Sequence, residues 1–439
     1  MALACMVLVF PLNAAKGDTL EAAVFSAFES HPSIETAKAA MGAAHEEKRA
    51  ELSAYYPSLS ATATGGRIYG DNATSRGLSV TRGAGYSNLW EGTVSARQRI
   101  FDGFETQNKV SAAEARERSA DMGVLDAREA IALRATQAYL NLMRTQEAVK
   151  ILKGHKAKVL DYLERIKIAV DNGVVDESEH QLARDVKVIL DGFITDYEGQ
   201  ARTAHANYRE AVGREPDGDM VSPQPYLEFV PETSEEAIAL IKDSHPLIKA
   251  AVFQSESAQH DVASEEATIY PDLDGELSYL QNEKDDLIGG ETTDARAVLK
   301  LSWAFDTGGA QLARIRQRKF QYNQAQSRVR ETEMQVSNQI RLAYSDLQTA
   351  QDRLAQQKTR LDLNKKLFET YEVQFEGARI SLLQLMQADN QLFNTRLEKL
   401  NGEYGLLANQ YNVLASMGRL QDSLVMASPK TGPAQDEQK

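Results

Sequence analysis

The chain has 439 residues, a formal net charge of −14 and a sequence pI near 5.2. That acidic balance excludes a nucleic-acid partner, because gripping phosphates needs concentrated Lys and Arg, and no long basic patch offsets the acids. Large aliphatic and aromatic residues are sparse while Ala, Gln, Glu, Arg and Leu fill long stretches, a composition that suits extended helices with narrow buried seams rather than several compact domains.

At the N-terminus, Ala2 to Leu12 form an apolar run followed by Asn13, Ala14 and Ala15, small residues that suit signal-peptidase cleavage. Residues 1–15 are therefore expected to be an export signal. No Lys or Arg precedes the run, so a buried N-terminus is the alternative. The single cysteine, Cys5, falls inside this segment, and a mature chain without thiols suits an oxidising compartment. No later stretch reaches the roughly 18 apolar residues of a transmembrane helix, so any membrane crossing would have to use strands.

The rest of the chain reads as a duplication, 19–213 and 234–420, joined by a Pro-rich linker at 214–233 and followed by a disordered tail at 421–439. Ser30, His31 and Pro32 recur as Ser244, His245 and Pro246, and Tyr56-Pro57 recurs as Tyr270-Pro271. Phe101-Asp102, Ala138-Tyr139 and Gly173 recur in the same order as Phe305-Asp306, Ala343-Tyr344 and Gly377. Each copy opens with a helix interrupted at the first Pro and ended before the second. A strand pair follows, at about 57–101 and again at about 271–305. In the first pair Trp90, Gly92, Val94, Ala96 and Ile100 alternate with Glu91, Thr93, Ser95, Arg97 and Arg99, and period two means strand. In the second, Leu273, Leu277 and Tyr279 alternate with Asp272, Asp274, Glu276 and Ser278, and Leu299, Leu301, Trp303 and Phe305 with Lys300 and Ser302. Gly-rich and polar loops are expected at roughly 67–88 and 281–295.

A long helix comes next in each copy. Val124, Ile131, Ala138, Leu152, Val159 and Ile166 share one seven-residue register, as do Ile340, Leu347, Leu354, Leu361, Phe368 and Phe375. A strict repeat of that kind implies left-handed supercoiling against neighbouring helices. Each long helix would measure about 100 Å and end at a tip glycine, near 173 or 377, where a returning helix begins. Four strands per chain cannot close a barrel, and open edges are not tolerated in hydrocarbon, so closure must be intermolecular; three copies give twelve strands and room for a lumen.

These landmarks, in register and twice over, resemble the TolC family of outer-membrane export channels from Leu20 to Leu420. The runs Trp303 to Gly309, Tyr270 to Asp274 and Gly377 to Gln384 look most like members that serve type I secretion. The resemblance implies a mainly α fold with a membrane β-barrel portion, built as a homotrimer. Its twelve-stranded barrel would lie in the outer membrane of a Gram-negative bacterium, on a twelve-helix periplasmic tunnel. It also implies contact with outer-membrane lipid, a periplasmic adaptor (membrane fusion protein) and an inner-membrane ABC transporter. The chain has no phosphate-binding loop, so energy would come from that transporter. The alternatives are a drug or metal efflux duct of a proton-coupled tripartite pump, and a coiled-coil structural protein, which would have no use for amphipathic strands.

Neither catalytic residues, a cofactor nor a metal is expected. Glu177 and His180 form a Glu-x-x-His spacing, but a di-iron centre needs a second such motif and two more glutamates, so a solvated helix start is expected there. His31 and His245 are expected to cap or pack locally. The lipid face of the barrel is assigned to Trp90, Val94, Ile100, Leu299, Leu301, Trp303 and Phe305. The resemblance places a gate at the tips, involving Gly173, Asp176, Glu177, Gly377, Arg379, Gln384 and Gln387. Arg379 matches an arginine that constrains the closed tip in the family, with Asp176, Glu177 and Asp185 as candidate partners. Gln384 and Gln387 stand where the family carries two aspartates, which implies a neutral constriction; Asp389, or Asp176 with Glu179, would form an acidic ring under a different alignment.

Overall fold

A computed structural model describes residues 18–70, 85–228, 230–284, 291–377 and 379–427. The expected export signal and residues 428–439 of the expected tail lie outside the described residues. The first copy contains α1 (Leu20–Ser30), α2 (Pro32–Leu52), β1 (Ser58–Gly70), β2 (Gly85–Phe101), α3 (Glu105–Asp171) and α4 (Glu177–Val212). The second contains α5 (Ser234–Ile241), α6 (Pro246–Ala267), β3 (Asp272–Lys284), β4 (Glu291–Ser302), α7 (Ala310–Glu376) and α8 (Leu382–Ser416), and α9 (Leu420–Ala427) follows. The long helices α3 and α7 each have 67 residues, about 100 Å at 1.5 Å per residue.

The chain divides into two compact units. One comprises Lys38–Gly123 and Leu247–Thr332 and holds the strands. They form a single antiparallel sheet in the order β1-β2-β3-β4, whose middle pairing joins the two copies of the duplication. Pairing continues to Gly70 opposite Gly85 and to Glu283 opposite Glu291, so the strands reach well into the stretches expected to be loops. β4 ends at Ser302, which corrects the expectation that Trp303 and Phe305 are strand residues. The chain leaves the sheet there because Asp306 accepts backbone hydrogen bonds from Gly308 (2.9 Å) and Gln311 (3.1 Å), which starts α7. The Trp303 indole donates sideways to the carbonyl of Ile269 at 3.0 Å. In the first copy, buried Asp102 does the same work for α3, accepting from the Thr106 N–H at 2.8 Å. Between them, Gly103 has φ +64°, and a Cβ there would sit 2.7 Å from the carbonyl oxygen of Ala267, so no other residue fits without a shift.

The other unit comprises the chain up to Ala37, Val124–Pro246 and everything from Glu333. Here the α3 seam is buried as its spacing requires, at Val124, Ile131, Ala138, Leu152, Val159 and Ile166, while on α7 Ile340, Leu354 and Phe368 are buried and Leu347, Leu361 and Phe375 are half-buried. Thr145, also fully buried, fills the step between Ala138 and Leu152 and bonds back to the Asn141 carbonyl. Each fully buried aliphatic in this ladder stabilises by about 1.5–3 kcal/mol.

The repeated Ala-Tyr landmark has a shared task. The Tyr139 hydroxyl lies between the carbonyls of Asp18 (2.6 Å) and Val221 (2.7 Å), which share its one proton, and the Tyr344 hydroxyl donates to the carbonyl of Pro231 at 2.9 Å. Both tyrosines therefore tie the linker between the copies to a long helix. Asp18 completes the knot, accepting from the Tyr208 hydroxyl and the Arg214 guanidinium at 2.5 Å each. His31 accepts the Ser33 N–H at 3.2 Å and His245 is buried, so both cap or pack as expected.

The expected tail begins later than its composition suggested. α9 is a packed helix in which Leu420, Ser423 and Leu424 are buried, with the Ser423 hydroxyl donating to the Tyr226 carbonyl. Its first N–H groups, of Leu420 and Gln421, both donate to the Glu129 carboxylate of α3 at 3.1 Å. Burial pushes the Glu129 carboxyl up from 4.5 to about 7, against the downward pull of those two donors. A carboxyl raised on folding favours the native state when protonated, so its contribution is complete below about pH 4.5 and is lost as pH rises through about 7. Glu129→Gln should flatten a decline in stability on the order of 3 kcal/mol between about pH 5 and pH 8, as followed by thermal unfolding in detergent.

Candidate functional site

Residues directly opposite across a strand pair share a face, so the register sorts the sheet into two surfaces. On one, Leu59, Ala96, Leu277 and Ala297 line up across the four strands, as do Ala61, Val94, Tyr279 and Ala295. Leu299 lies opposite Gly275 and Leu301 opposite Leu273. A bulge between Arg99 and Phe101 leaves Ile100 over Gly275, 3.4 Å from the position its Cβ would take. Val94, Ile100, Leu299 and Leu301 thus share one apolar, exposed surface, as assigned from the alternation. Trp90 has the same parity but stands opposite Glu283, near the loop end of the sheet.

The other surface is polar. Ser60 and Ser95 share a hydroxyl bond of 2.7 Å, and Ser278 and Arg296 extend their row. Arg97 donates to Asp274 at 2.5 Å, and Arg97 and Lys300 each come within 3.9 Å of Glu276. Arg99 reaches Glu105 at 3.6 Å and Asp102 at 3.8 Å. Leu89, Leu280 and Val298 are apolar exceptions on this side. An apolar face backed by paired ions matches a membrane strand with lipid on one side and water on the other.

Where the strands give way to helices, exposed aromatics accumulate: Tyr55, Tyr56, Phe104, Tyr270, Trp303 and Phe305. Trp303 and Phe305 lean together with ring centroids 4.6 Å apart. These side chains form a belt of the kind found at membrane–water interfaces. Trp303 and Phe305 stand in this group just past the end of β4. Among the described residues no helix is long and apolar enough to cross a membrane.

The two tips differ. At the first, Gly173 adopts φ +69° and the Val174 N–H bonds back to the Ala169 carbonyl, closing α3. Asp176 then caps α4 by accepting the Ser178 N–H at 2.8 Å, and the Ser178 hydroxyl together with that N–H holds its carboxyl below the usual range. Glu177 accepts from Gln181 at 2.8 Å and faces His180 at 3.4 Å, within the first turn. At the second, the Arg379 N–H closes α7 onto the Gln374 carbonyl at 2.8 Å, while Gly377 lacks a left-handed φ. Arg379 is exposed and, among the described residues, pairs with none of Asp176, Glu177 and Asp185 of its own chain.

Gln384 and Gln387 are both exposed, three residues apart on the first turns of α8. The Gln384 amide oxygen also accepts the Ser381 N–H at 3.1 Å while its own N–H donates to the Ser381 hydroxyl, a complete capping box. Asp389, by contrast, is 1% exposed, held between Lys158 at 3.8 Å and His155 at 3.6 Å. His155 stacks on Phe393 with centroids 4.0 Å apart, and burial depresses its pKa. Asp389 is thus placed inside the helical hairpins and not on an exposed ring. The capping role of Gln384 and the burial of Asp389 were not foreseen from the sequence; the Ser-x-x-Gln spacing was the available signal for the first. Gln384→Ala should remove half of the box and speed amide exchange at Ser381 by roughly 3- to 10-fold, read by hydrogen-exchange mass spectrometry.

Residues 24–214 and 237–419 match a family described as outer membrane efflux protein. The outer membrane efflux protein BepC of Brucella suis is 22% identical over 411 residues, covering 93% of this chain and 87% of that protein. The outer membrane protein TolC of Vibrio cholerae is 22% identical over 410 residues, covering 91% and 90% respectively. Among solved structures, the Campylobacter jejuni CmeC outer membrane channel superimposes with a TM-score of 0.78 at 15% identity, covering 95% of this chain and 91% of that one. The open state of the Neisseria gonorrhoeae MtrE outer membrane channel gives 0.75 at 15% identity, covering 91% and 89%.

Proposed function

The chain belongs to the outer membrane efflux protein family, and from that premise we propose that three copies form the outer-membrane duct of a tripartite exporter. The family consists of outer-membrane channels and not enzymes. The open four-stranded sheet carries the trimer reading: among the described residues β1 and β4 each have one edge without a partner strand, and the sheet has a lipid-compatible face. Twelve strands from three copies remove every free edge and leave a lumen lined by the Arg97, Asp274, Glu276 and Lys300 side.

The finer reading is type I secretion of a protein, driven by an inner-membrane ABC transporter through a periplasmic adaptor. It is supported by the runs Trp303 to Gly309 and Gly377 to Gln384. Efflux of small molecules by a proton-coupled pump is the second reading, favoured by the name efflux protein that the Brucella relative carries. Deleting the gene separates them: loss of a large protein from the culture medium supports the first, and a fall in drug or metal tolerance with an unchanged secretome supports the second.

At the periplasmic entrance, Gln384 and Gln387 give a constriction lined by amides, and Arg379 braces the tip against acids of a neighbouring hairpin. Rings of carboxylates bind multivalent cations where little water screens them, and amides do not. The purified protein should run as a trimer on unheated SDS gels and open single channels in planar bilayers. A trivalent cation on the periplasmic side should leave wild-type conductance nearly unchanged and block the Gln384→Asp, Gln387→Asp variant. Monomers without conductance would contradict the duct, and strong block of the wild type would contradict the neutral constriction.

A further inference from the structure

The start of α7 has a basic face that export leaves without a role. From Trp303 to Phe320 the chain carries one acid, Asp306, and four bases, Arg314, Arg316, Arg318 and Lys319. The matching stretch of the first copy, Arg99 to Arg116, carries three acids, Asp102, Glu105 and Glu114, against three bases, Arg99, Lys109 and Arg116. In a protein of net charge −14, the start of α7 is therefore basic where the equivalent start of α3 is balanced.

Two of these bases are engaged by α6: Arg318 lies 3.7 Å from Glu265 and Lys319 lies 2.8 Å from Glu266. Arg316 is exposed and forms no ion pair or hydrogen bond among the described residues. Helical spacing puts Leu312, Arg316 and Phe320 on one stripe, bordered by Lys319 and then by Ile315, which is 6% exposed. Leu312 is 60% and Phe320 71% exposed, so two bare apolar side chains flank a bare guanidinium over about 12 Å of helix. This stripe begins just past the aromatic belt of Tyr270, Trp303 and Phe305, at the level where lipid headgroups meet water.

Resting on the reading that the sheet crosses the outer membrane, we propose that this stripe binds an anionic phospholipid of the leaflet facing the periplasm. A phosphate would accept charge-assisted hydrogen bonds from Arg316 and feel the nearby Lys319, with Leu312 and Phe320 against the glycerol and first methylenes. Two features of the molecule select this occupant. The stripe begins seven residues past Phe305 of the aromatic group, and the charge of Arg316 is opposite to that of phosphatidylglycerol.

The test is native mass spectrometry of the intact trimer titrated with phosphatidylglycerol or phosphatidylcholine, beside conductance of the same samples in bilayers. The wild type should retain phosphatidylglycerol in preference to phosphatidylcholine. Arg316→Gln should weaken phosphatidylglycerol retention about fivefold, with trimer and conductance unchanged. Leu312→Ser with Phe320→Ser should weaken retention of both lipids, and Arg330→Gln, about 21 Å further along the helix, should change neither. Equal phosphatidylglycerol retention by wild type and Arg316→Gln would overturn the proposal while leaving the duct intact. Loss of the trimer in lipid-free detergent on these substitutions would overturn it by assigning the stripe to a neighbouring copy. Preferential retention of lipopolysaccharide would overturn the choice of leaflet. A wild type that forms neither trimers nor channels would overturn the duct reading itself, and this proposal with it.

Discussion

A backbone N–H or C=O in hydrocarbon has no water to bond, and leaving one unpaired costs several kcal/mol. Everything in this chain that concerns the membrane follows from that constraint. Its four strands satisfy one another within the sheet, but the outer edges of β1 and β4 stay open. In the proposed trimer those edges are closed by neighbouring copies, and the apolar face that Leu59, Val94, Leu277 and Leu299 present then forms one side of a closed barrel. Oligomerisation is in this sense a hydrogen-bonding requirement before it is a matter of hydrophobic burial.

The duplication supplies what one helix–strand–strand–helix unit would lack. Pairing β2 with β3 joins the copies through the sheet, and the equivalent tyrosines Tyr139 and Tyr344 pin the linker between the copies to each long helix. Equivalent aspartates, Asp102 and Asp306, start both long helices where the strands end. Where the copies diverge, the divergence has a physical meaning. Only the first tip uses a left-handed glycine, and only the second copy places bare arginine and apolar side chains just beyond the aromatic belt.

Much of this was legible in the sequence because periodicity and duplication are properties of residue order. The seven-residue steps named the buried ladder from Val124 to Ile166, and the two-residue alternation named Val94, Ile100, Leu299 and Leu301 as one face. Other features depend on partners far along the chain. Trp303 and Phe305 keep the alternating parity of β4, yet the backbone leaves the sheet at Ser302, three residues earlier than parity suggests, for the Asp306 cap. The residues of α9 look like the start of a polar tail, and only Glu129, some 290 positions upstream, accounts for their order. Asp389 lies on a helix rich in exposed amides, and nothing local distinguishes it from them; its burial follows from His155 and Lys158 on α3.

Closure of the sheet between copies is the central claim, and disulfide mapping across the strand edges tests it most directly. One cysteine in β1, scanned from Ser58 to Thr64, would be combined with one in β4, scanned from Thr293 to Leu299, in a chain whose single native cysteine is replaced. Intermolecular closure predicts that pairs in one fixed register link copies into dimers and covalently closed trimers in the membrane. Disulfides that form only within single copies, or no link in any register, would contradict it.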